Sequence, residues 1–180
     1  MKSVVLAISL LLAQITLGAT AWSEIKTVPY VDVNQYLGDW YQISHIPLWF
    51  QGGADCSCAR QRLTATNKPG VVGVLNTCTK KDGSLYSIAG TATDDDPKTN
   101  AKFTVALEGV PFKGSYWIIG LGPQYRYAVV TDKSGMALYI LSKTPTLEPA
   151  LYNEAVAVAA QQLDVSKLKV TRHAGCSYPP

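Results

Sequence analysis

The stretch YLGDWYQISHIP, residues 36–47, decides how the rest of the chain is interpreted. Its composition predicts a strand over residues 39–46, opened by a glycine and a tryptophan two positions apart, Gly38 and Trp40. Alternate residues of a strand point the same way. If Trp40 faces the interior of a sheet or barrel, Gln42 and Ser44 are therefore expected to face it too.

The same stretch contains an aspartate, a serine and a histidine, which are residue types common in hydrolases. Ser44 and His45 are adjacent in the predicted strand, so they are expected to point to opposite faces and not to form a nucleophile–base pair. The chain also lacks the Gly-x-Ser-x-Gly motif of a nucleophile elbow. The stretch thus predicts architecture and no catalytic residue, with His45 on the outer face or at the rim.

Seven more runs with strand-like composition follow, separated by turn-forming Gly, Pro, Asn and Asp residues. They cover residues 58–66, 71–79, 85–92, 101–107, 114–121, 125–132 and 136–143. Residues 147–162 then show helical spacing, with Thr146 as the expected cap and Leu151 and Ala155 on one face. A last short strand is expected at 167–170. The pattern indicates an all-β antiparallel sandwich or barrel, with the helix packed outside.

The size and charge of the chain limit its function. Its 180 residues are enough for one domain with a sizeable core. The formal net charge of +3 is small and the basic residues are scattered, so no nucleic-acid partner is expected. The acidic run at 93–97 is interpreted as a solvated turn, because it lacks the spaced oxygens of a calcium motif. Neither a metal nor another cofactor is expected.

Residues 1–21 have the features of an export signal. Lys2 gives a positive start, an almost unbroken apolar run extends over 4–17, and residues 19–21 have the small-x-small form of a cleavage site. We expect one mature domain over residues 22–180, soluble in a periplasm or an extracellular fluid. No cysteine lies near the cleavage site, so N-terminal lipidation is not expected.

Four cysteines fit such a compartment, because an even number of cysteines in an exported protein usually forms disulfides. They are Cys56, Cys58, Cys78 and Cys176. A single residue separates Cys56 from Cys58, against the two to four usual between zinc ligands, which disfavours a zinc site. Four cysteines allow three connectivities, and their spacing alone leaves the pairing open.

Three motifs in order carry a family resemblance. Residues 38–41 read GDWY, residues 125–132 read YRYAVVTD, and residues 138–145 read LYILSKTP just before the helix. With an export signal ahead of them, they resemble the lipocalins, and within that family the bacterial lipocalins and apolipoprotein D. The resemblance covers about residues 28–176. One departure is Lys133, which follows Thr-Asp where the family commonly has a tyrosine.

The resemblance implies an eight-stranded antiparallel up-and-down barrel with one C-terminal helix packed outside. It also implies that one end of this barrel is closed by three residues, Gly38, Trp40 and Lys143, with the tryptophan beneath the basic side chain. The family most often has arginine at the basic position. Lysine keeps the cation–π contact but lacks the planar guanidinium fork, so we expect a somewhat weaker closure.

A lipocalin barrel is expected to enclose a small apolar ligand, and strand alternation then suggests which residues contact it. The candidates are aromatic side chains, residues on an inward face, or members of the loop after the first strand. They are Ser44, Trp49, Phe50, Tyr86, Phe103, Tyr116, Trp117, Tyr139 and Leu141. For any one aromatic, the alternative is packing inside the barrel wall or on its outer face under the helix.

The resemblance also implies a disulfide pairing. In apolipoprotein D-like members a cysteine at the start of the second strand pairs with one near the C-terminus, which implies Cys58–Cys176 and leaves Cys56–Cys78. Pairing Cys56 with Cys176 and Cys58 with Cys78 is nearly as compatible with the spacing. Closing the long loop to the tail stabilises by roughly 4 kcal/mol in the chain-entropy model.

The predicted function is carriage, without catalysis, of a small hydrophobic or amphiphilic ligand such as a fatty acid or lysophospholipid. The alternatives are a carrier of a pigment, retinoid or haem-type ligand, and an interaction scaffold that holds no ligand. Enzymatic lipocalins of the prostaglandin D synthase type need a reactive cysteine in the barrel, whereas all four cysteines here are expected to be paired. A lipid ligand leaves room for transient contact with a membrane.

Overall fold

The structure is a computed structural model that describes residues 24–47 and 56–178. The export signal predicted over residues 1–21 lies outside the described residues. So do two of the candidate ligand contacts, Trp49 and Phe50.

The described residues form nine strands and two α-helices. The strands are β1 (Gly38–His45), β2 (Ser57–Ala65), β3 (Val71–Thr79), β4 (Leu85–Asp94), β5 (Lys102–Leu107), β6 (Gly114–Leu121), β7 (Tyr127–Thr131), β8 (Leu138–Ser142) and β9 (Lys169–Val170). The helices are α1 (Val33–Tyr36) and α2 (Pro149–Ala160). All the predicted strands are present, with small shifts of their ends.

Strands β1 to β8 form a closed antiparallel barrel in up-and-down order, which confirms the predicted fold. Strand β1 closes the barrel because it pairs on both sides. Its first half pairs with β2, where Gly38 lies opposite Leu63, and its second half pairs with β8, where Gln42 lies opposite Leu141. Closure removes the free sheet edges that invite aggregation.

The barrel has one closed and one open end. The closed end is where β1 begins, and α1 and the residues before it lie across it, tied by the Val31 amide to the Thr99 carbonyl at 2.8 Å. The open end carries the β3–β4, β5–β6 and β7–β8 connections. Among the connections that the structure describes, these three mark the open end.

Apolar residues form two layers, one inside the barrel and one between the barrel and α2. Strand β7 is buried along its whole length because it contributes to both. Its Ala128 and Val130 face the interior, while Tyr127 and Val129 face the helix. A strand covered on both faces accounts for the nearly continuous apolar run at these positions.

Helix α2 packs on the outside of β6, β7 and β8, as predicted. A glycine at position 120 permits the close approach, since a Cβ there would lie 2.7 Å from Cγ1 of Val158. The predicted cap is wrong, because the helix begins at Pro149 with Glu148 as its N-cap. The chain is still turning at Thr146, whose carbonyl accepts a hydrogen bond from the Thr144 hydroxyl at 2.6 Å.

A β-bulge between Gln42 and Ser44 reverses the facing of the second half of β1. Ser44 lies opposite Ile140, whose side chain packs under α2, so the inward facing predicted for Ser44 is wrong. His45 instead lies opposite Tyr139, which packs against the interior layer. The physical reason is that a bulge inserts one residue into the ladder, after which simple alternation no longer holds.

Two disulfides lie at the open end, where β2 begins and β3 ends. Cys56 is bonded to Cys78, and Cys58 is bonded to Cys176. This is the pairing that the family resemblance implies. The Cys58 amide also donates to the carbonyl of Arg172 at 2.9 Å, so the C-terminal segment lies beside the start of β2.

Replacing Gly38 by alanine should destabilise the protein. Gly38 has a φ of 98°, a region that residues with a Cβ rarely adopt. Gly38→Ala is expected to lower the free energy of unfolding by about 1–2 kcal/mol in urea denaturation. Gly114→Ala is the matched control, since Gly114 also begins a strand, has no positive φ and has nothing within 4 Å of where a Cβ would lie. Equal losses in both variants would contradict this explanation.

The two disulfides should contribute unequally to stability. Cys58 and Cys176 are 118 residues apart in sequence, and Cys56 and Cys78 are 22 apart. Replacing the first pair by alanine is expected to cost about 4–5 kcal/mol and the second pair about 3 kcal/mol, because the longer loop loses more entropy on closure. Guanidinium denaturation of the two double variants measures the two losses in the free energy of unfolding. A larger loss for the Cys56–Cys78 pair would contradict the loop-entropy explanation.

Candidate ligand-binding site

The closed end is sealed by a lysine over a buried tryptophan. Trp40 is fully buried, and its indole Nε1 donates to the Tyr36 carbonyl at 2.7 Å. The Lys143 Nζ lies 4.2 Å from the centre of the Trp40 ring and donates to the carbonyls of Leu37 at 2.6 Å and Tyr36 at 3.3 Å. One cation thus combines a cation–π contact with two hydrogen bonds to the segment that crosses the barrel end.

The closure affects the protonation of its own lysine. Burial lowers the pKa of Lys143 to about 8, while the nearby carboxylate of Asp39 acts in the opposite direction. The carboxylate accepts two hydrogen bonds from Arg62, at 2.7 and 3.0 Å, and lies 3.5 Å from Arg60. The hydrogen bonds from Arg62, followed by the charge of Arg60, lower the pKa of Asp39.

A small apolar cavity lies inside the barrel next to this closure. Its volume is about 20 Å³, which is enough for one water-sized group. The candidates Phe103 and Tyr116 line it, together with aliphatic residues that the candidate list omitted: Val31, Val33, Leu37, Leu63, Val72, Val74, Ala92 and Val105. Alternation within the predicted strands is a signal that could have identified most of them.

Three polar groups lie at this cavity. The hydroxyls of Tyr36 and Tyr116 are 2.8 Å apart, and the Tyr116 hydroxyl donates to Oε1 of Gln61 at 3.0 Å. Burial raises the pKa of both tyrosines above the ordinary value, so both are neutral at physiological pH. The cavity therefore offers neutral hydrogen-bonding groups in an apolar lining.

The remaining candidates fall into two groups. Leu141 is buried in the interior layer and Tyr139 packs against it. Tyr86 shares the inward face of β4 with Ala92 but lies at the open end, 40% exposed. Trp117 is not at the cavity: it lies on the outer face opposite Lys102, whose Nζ is 4.5 Å from the centre of its ring. An aromatic side chain by itself does not indicate which face it occupies.

A second polar group, absent from the candidate list, lies on the inner side of β1 near the open end. Nε2 of Gln42 donates to Nδ1 of His45 at 3.0 Å and to the hydroxyl of Thr171 at 3.0 Å. Burial, and secondly the charge of Lys169, lower the pKa of His45. Its imidazole is therefore neutral at physiological pH, and the side chain of Ser44 lies on the opposite face.

Charge is separated between the two faces of the barrel wall. Arg60 and Arg62 contact Asp39 on the outer face, and Lys102 also lies outside. Lys143 is inward but is held at the closed end. Asp94, the last residue of β4, lies opposite inward-facing Phe103 at the same closed end. Between that end and the open end, the inward positions of β1 to β8 carry no Asp, Glu, Lys or Arg. On β9, Lys169 lies opposite His45 at the open end, where it is exposed. The interior is thus suited to an uncharged chain.

Two features are absent from residues 24–47 and 56–178. No helix in these ranges has the length and apolarity needed to cross a lipid bilayer. No cluster of three or more His, Cys, Asp or Glu side chains that could hold a metal ion occurs within them.

The pKa of Lys143 predicts a pH dependence of stability. Between about pH 8 and 10.5 the folded protein has released this proton while the unfolded chain still holds it, so the free energy of unfolding should rise with pH. Measured against Lys143→Met by urea denaturation, the wild-type protein should gain stability across this window. Lys98→Met, at an exposed lysine, is the control: it keeps Lys143, so its difference in stability from the wild-type protein should not vary with pH. A difference between wild type and Lys143→Met that is flat with pH would contradict the shift.

Comparisons with known proteins agree with this geometry. A family model described as a lipocalin-like domain matches residues 31–173. The chain is 34% identical over 163 residues to temperature-induced lipocalin-1 from Arabidopsis thaliana, covering 84% of each chain. It is 32% identical over 148 residues to the outer membrane lipoprotein Blc of Escherichia coli strain K12, covering 79% of this chain and 80% of Blc. It is 28% identical over 154 residues to bovine (Bos taurus) apolipoprotein D, covering 81% and 78%.

A solved structure shows the same fold. Insecticyanin from the tobacco hornworm Manduca sexta superposes with a TM-score of 0.66 at 17% identity, covering 84% of this chain and 86% of insecticyanin. At that identity the likeness concerns the fold alone. Together with the family match and the sequence relatives, the closed barrel and its sealed end show that the chain belongs to the lipocalin family.

Proposed function

We propose that this lipocalin carries a small amphiphile of the fatty acid or lysophospholipid class, with its apolar chain inside the barrel and its polar head at the open end. Lipocalins in general bind small hydrophobic ligands. The observation that carries the proposal is the separation of charge across the barrel wall. A carboxylate or phosphate buried inside would have no cationic partner, and burying an unpaired charge is costly. The charged head therefore stays at the mouth.

The chain is proposed to occupy the open half of the barrel. A cavity of about 20 Å³ is far smaller than the several hundred Å³ that ligand pockets usually have. The ligand must therefore displace inward side chains as it enters from the open end. The hydrogen-bonded group of Tyr36, Tyr116 and Gln61 lies near the closed end, and we propose that it limits how deeply the chain penetrates.

The expected affinity follows from the apolar area removed from water. Burying about a dozen methylenes yields roughly 10 kcal/mol, at about 0.8 kcal/mol each. Lost motion of the ligand and displacement of side chains cancel a large part of this gain. A dissociation constant on the order of micromolar is expected. Bound ligand should also raise the melting temperature, because it binds the folded state.

We propose that the protein is a carrier and not an enzyme. All four cysteines are in disulfides, which leaves no thiolate nucleophile in this oxidised form. Ser44 and His45 lie on opposite faces of β1, and Nδ1 of His45 is occupied by Gln42. The disulfides also support the proposal that the mature chain works outside the cytoplasm.

The test places a charge on the inward face near the open end. Ile88 lies opposite Asn76 on the face that Ala92 shares, and it is partly exposed. Ile88→Asp should weaken binding of a fluorescent fatty acid by roughly tenfold or more, because the carboxylate disfavours the apolar chain and repels an acidic head. The readout is probe fluorescence on titration, with oleate and lysophosphatidylcholine as competitors.

The matched control is Ala89→Asp, one residue along the same strand and on its outer face opposite Leu75. This variant should bind the probe like the wild-type protein, and both variants should melt cooperatively. Native mass spectrometry of the gently purified protein then identifies the class of ligand. The mass of a bound lipid would support the proposal, whereas the mass of a bound chromophore would reject it in favour of pigment carriage. Absence of any displaceable apolar ligand would reject carriage and favour an interaction scaffold, with which the small cavity is compatible.

A further inference from the structure

The open end of the barrel is ringed by exposed apolar side chains. The described residues include six large apolar side chains that are strongly exposed, and four of them belong to the three open-end connections or the strand start next to one. These four are Leu85 (58% exposed), Tyr86 (40%), Phe112 (61%) and Met136 (67%). At the closed end, Tyr30 is the one member of the same set (58%), and the sixth, Val170 (74%), lies on β9 beside the second half of β1. Exposed apolar groups gathered at one end indicate a surface that meets a partner.

Each of the three connections also carries a lysine beside its apolar side chain. Nζ of Lys80 lies 5.3 Å from the centre of the Tyr86 ring. Lys113 directly follows Phe112, and Lys133 lies three residues before Met136. Each described connection of the rim therefore contains both an exposed apolar side chain and a lysine.

The acidic residues of the rim are mostly engaged in their own turns. The Asp82 carboxylate accepts hydrogen bonds from the amide and hydroxyl of Ser84, at 2.9 and 2.6 Å. The Asp132 carboxylate accepts from the amides of Ala137 at 2.8 Å and Ser134 at 3.2 Å. These hydrogen bonds hold the carboxylates of Asp82 and Asp132 toward their own turns. The side chains of Lys113 and Lys133 are exposed. Counting exposed Glu108, the rim holds four lysines (Lys80, Lys81, Lys113 and Lys133) and three acidic residues (Asp82, Glu108 and Asp132), so its surface is apolar with a small positive excess.

We propose that this rim, formed by residues 80–86, 108–113 and 132–137, docks onto the surface of a membrane that contains anionic lipids, with the mouth of the barrel facing the bilayer. The apolar side chains are spread around a ring and form no single pocket-filling cluster of the kind that dominates protein interfaces. A ring of that kind fits a flat interface into which several side chains dip at once. Lysines beside them match the negative charge of phospholipid head groups.

Docking of this kind would give the proposed function a route for loading, but its evidence is separate. The biological role of docking rests on the proposed function. The docking itself does not, because binding to vesicles is measured without any ligand. The orientation also has a simple consequence. A ligand head held at the mouth would already lie at the depth of the lipid head groups when the rim is in contact.

The experiment is co-sedimentation of the disulfide-bonded protein with vesicles of phosphatidylcholine alone or with about one third phosphatidylglycerol. The wild-type protein should partition onto the anionic vesicles at least about tenfold more strongly than onto the neutral ones, and less so in high salt. The double variant Phe112→Ser with Met136→Ser should lose about tenfold of this partitioning. Lys113→Glu with Lys133→Glu should lose a similar factor on anionic vesicles only.

The controls lie at the closed end of the same barrel. Tyr30→Ser removes an equally exposed apolar side chain, and Lys68→Glu with Lys98→Glu reverses two exposed lysines. These variants should bind vesicles like the wild-type protein. Failure of the wild-type protein to bind anionic vesicles would overturn the proposal, as would equal losses in rim and control variants. Fatty acid binding measured in parallel distinguishes loss of docking from loss of carriage.

Discussion

The contact between Lys143 and Trp40 is the constraint on which the rest of the barrel depends. It joins the end of β8 to the start of β1, the strand that closes the barrel by pairing with both β2 and β8. Through the carbonyls of Leu37 and Tyr36 it also holds the chain that covers this end. Gly38 supports the same junction with a backbone conformation that other residues rarely adopt. The closure covers this end of the apolar interior.

Charged side chains are unevenly distributed between the two faces of the barrel wall. The wall separates an outer face, where Asp39 binds Arg62 and Arg60, from an inner face of β1 to β8 whose polar groups beyond the closed end are neutral. Burial keeps Tyr36 and Tyr116 protonated and favours neutral His45. A charged group can then be accommodated only at the mouth. The exposed apolar side chains and lysines of the rim are found at that same end, so carriage and docking both follow from one asymmetry of the molecule.

Much of the fold and part of the site could be predicted from the sequence because periodicity reports on burial. Runs bounded by turn residues located the eight barrel strands, and helical spacing located α2. Inward facing was correct for Leu141 and Tyr139, because β8 is regular. It failed for Ser44 because a bulge interrupts β1, and Trp117 lies outside because its aromatic character fits either face. The polar group of Gln42, His45 and Thr171 joins residues from both ends of the chain, which no local pattern reveals.

The sequence by itself determined the strands, the turns and the helix, since these depend on neighbours along the chain, whereas the positive φ that requires glycine at position 38 was seen only in the structure. Family motifs added the closed end and one of the possible cysteine pairings. Only the tertiary structure decided which face Ser44 occupies, how the four cysteines are joined, and that the two lysines near Phe112 and Met136 share one rim. These features depend on the register between distant strands, which is set when the barrel closes.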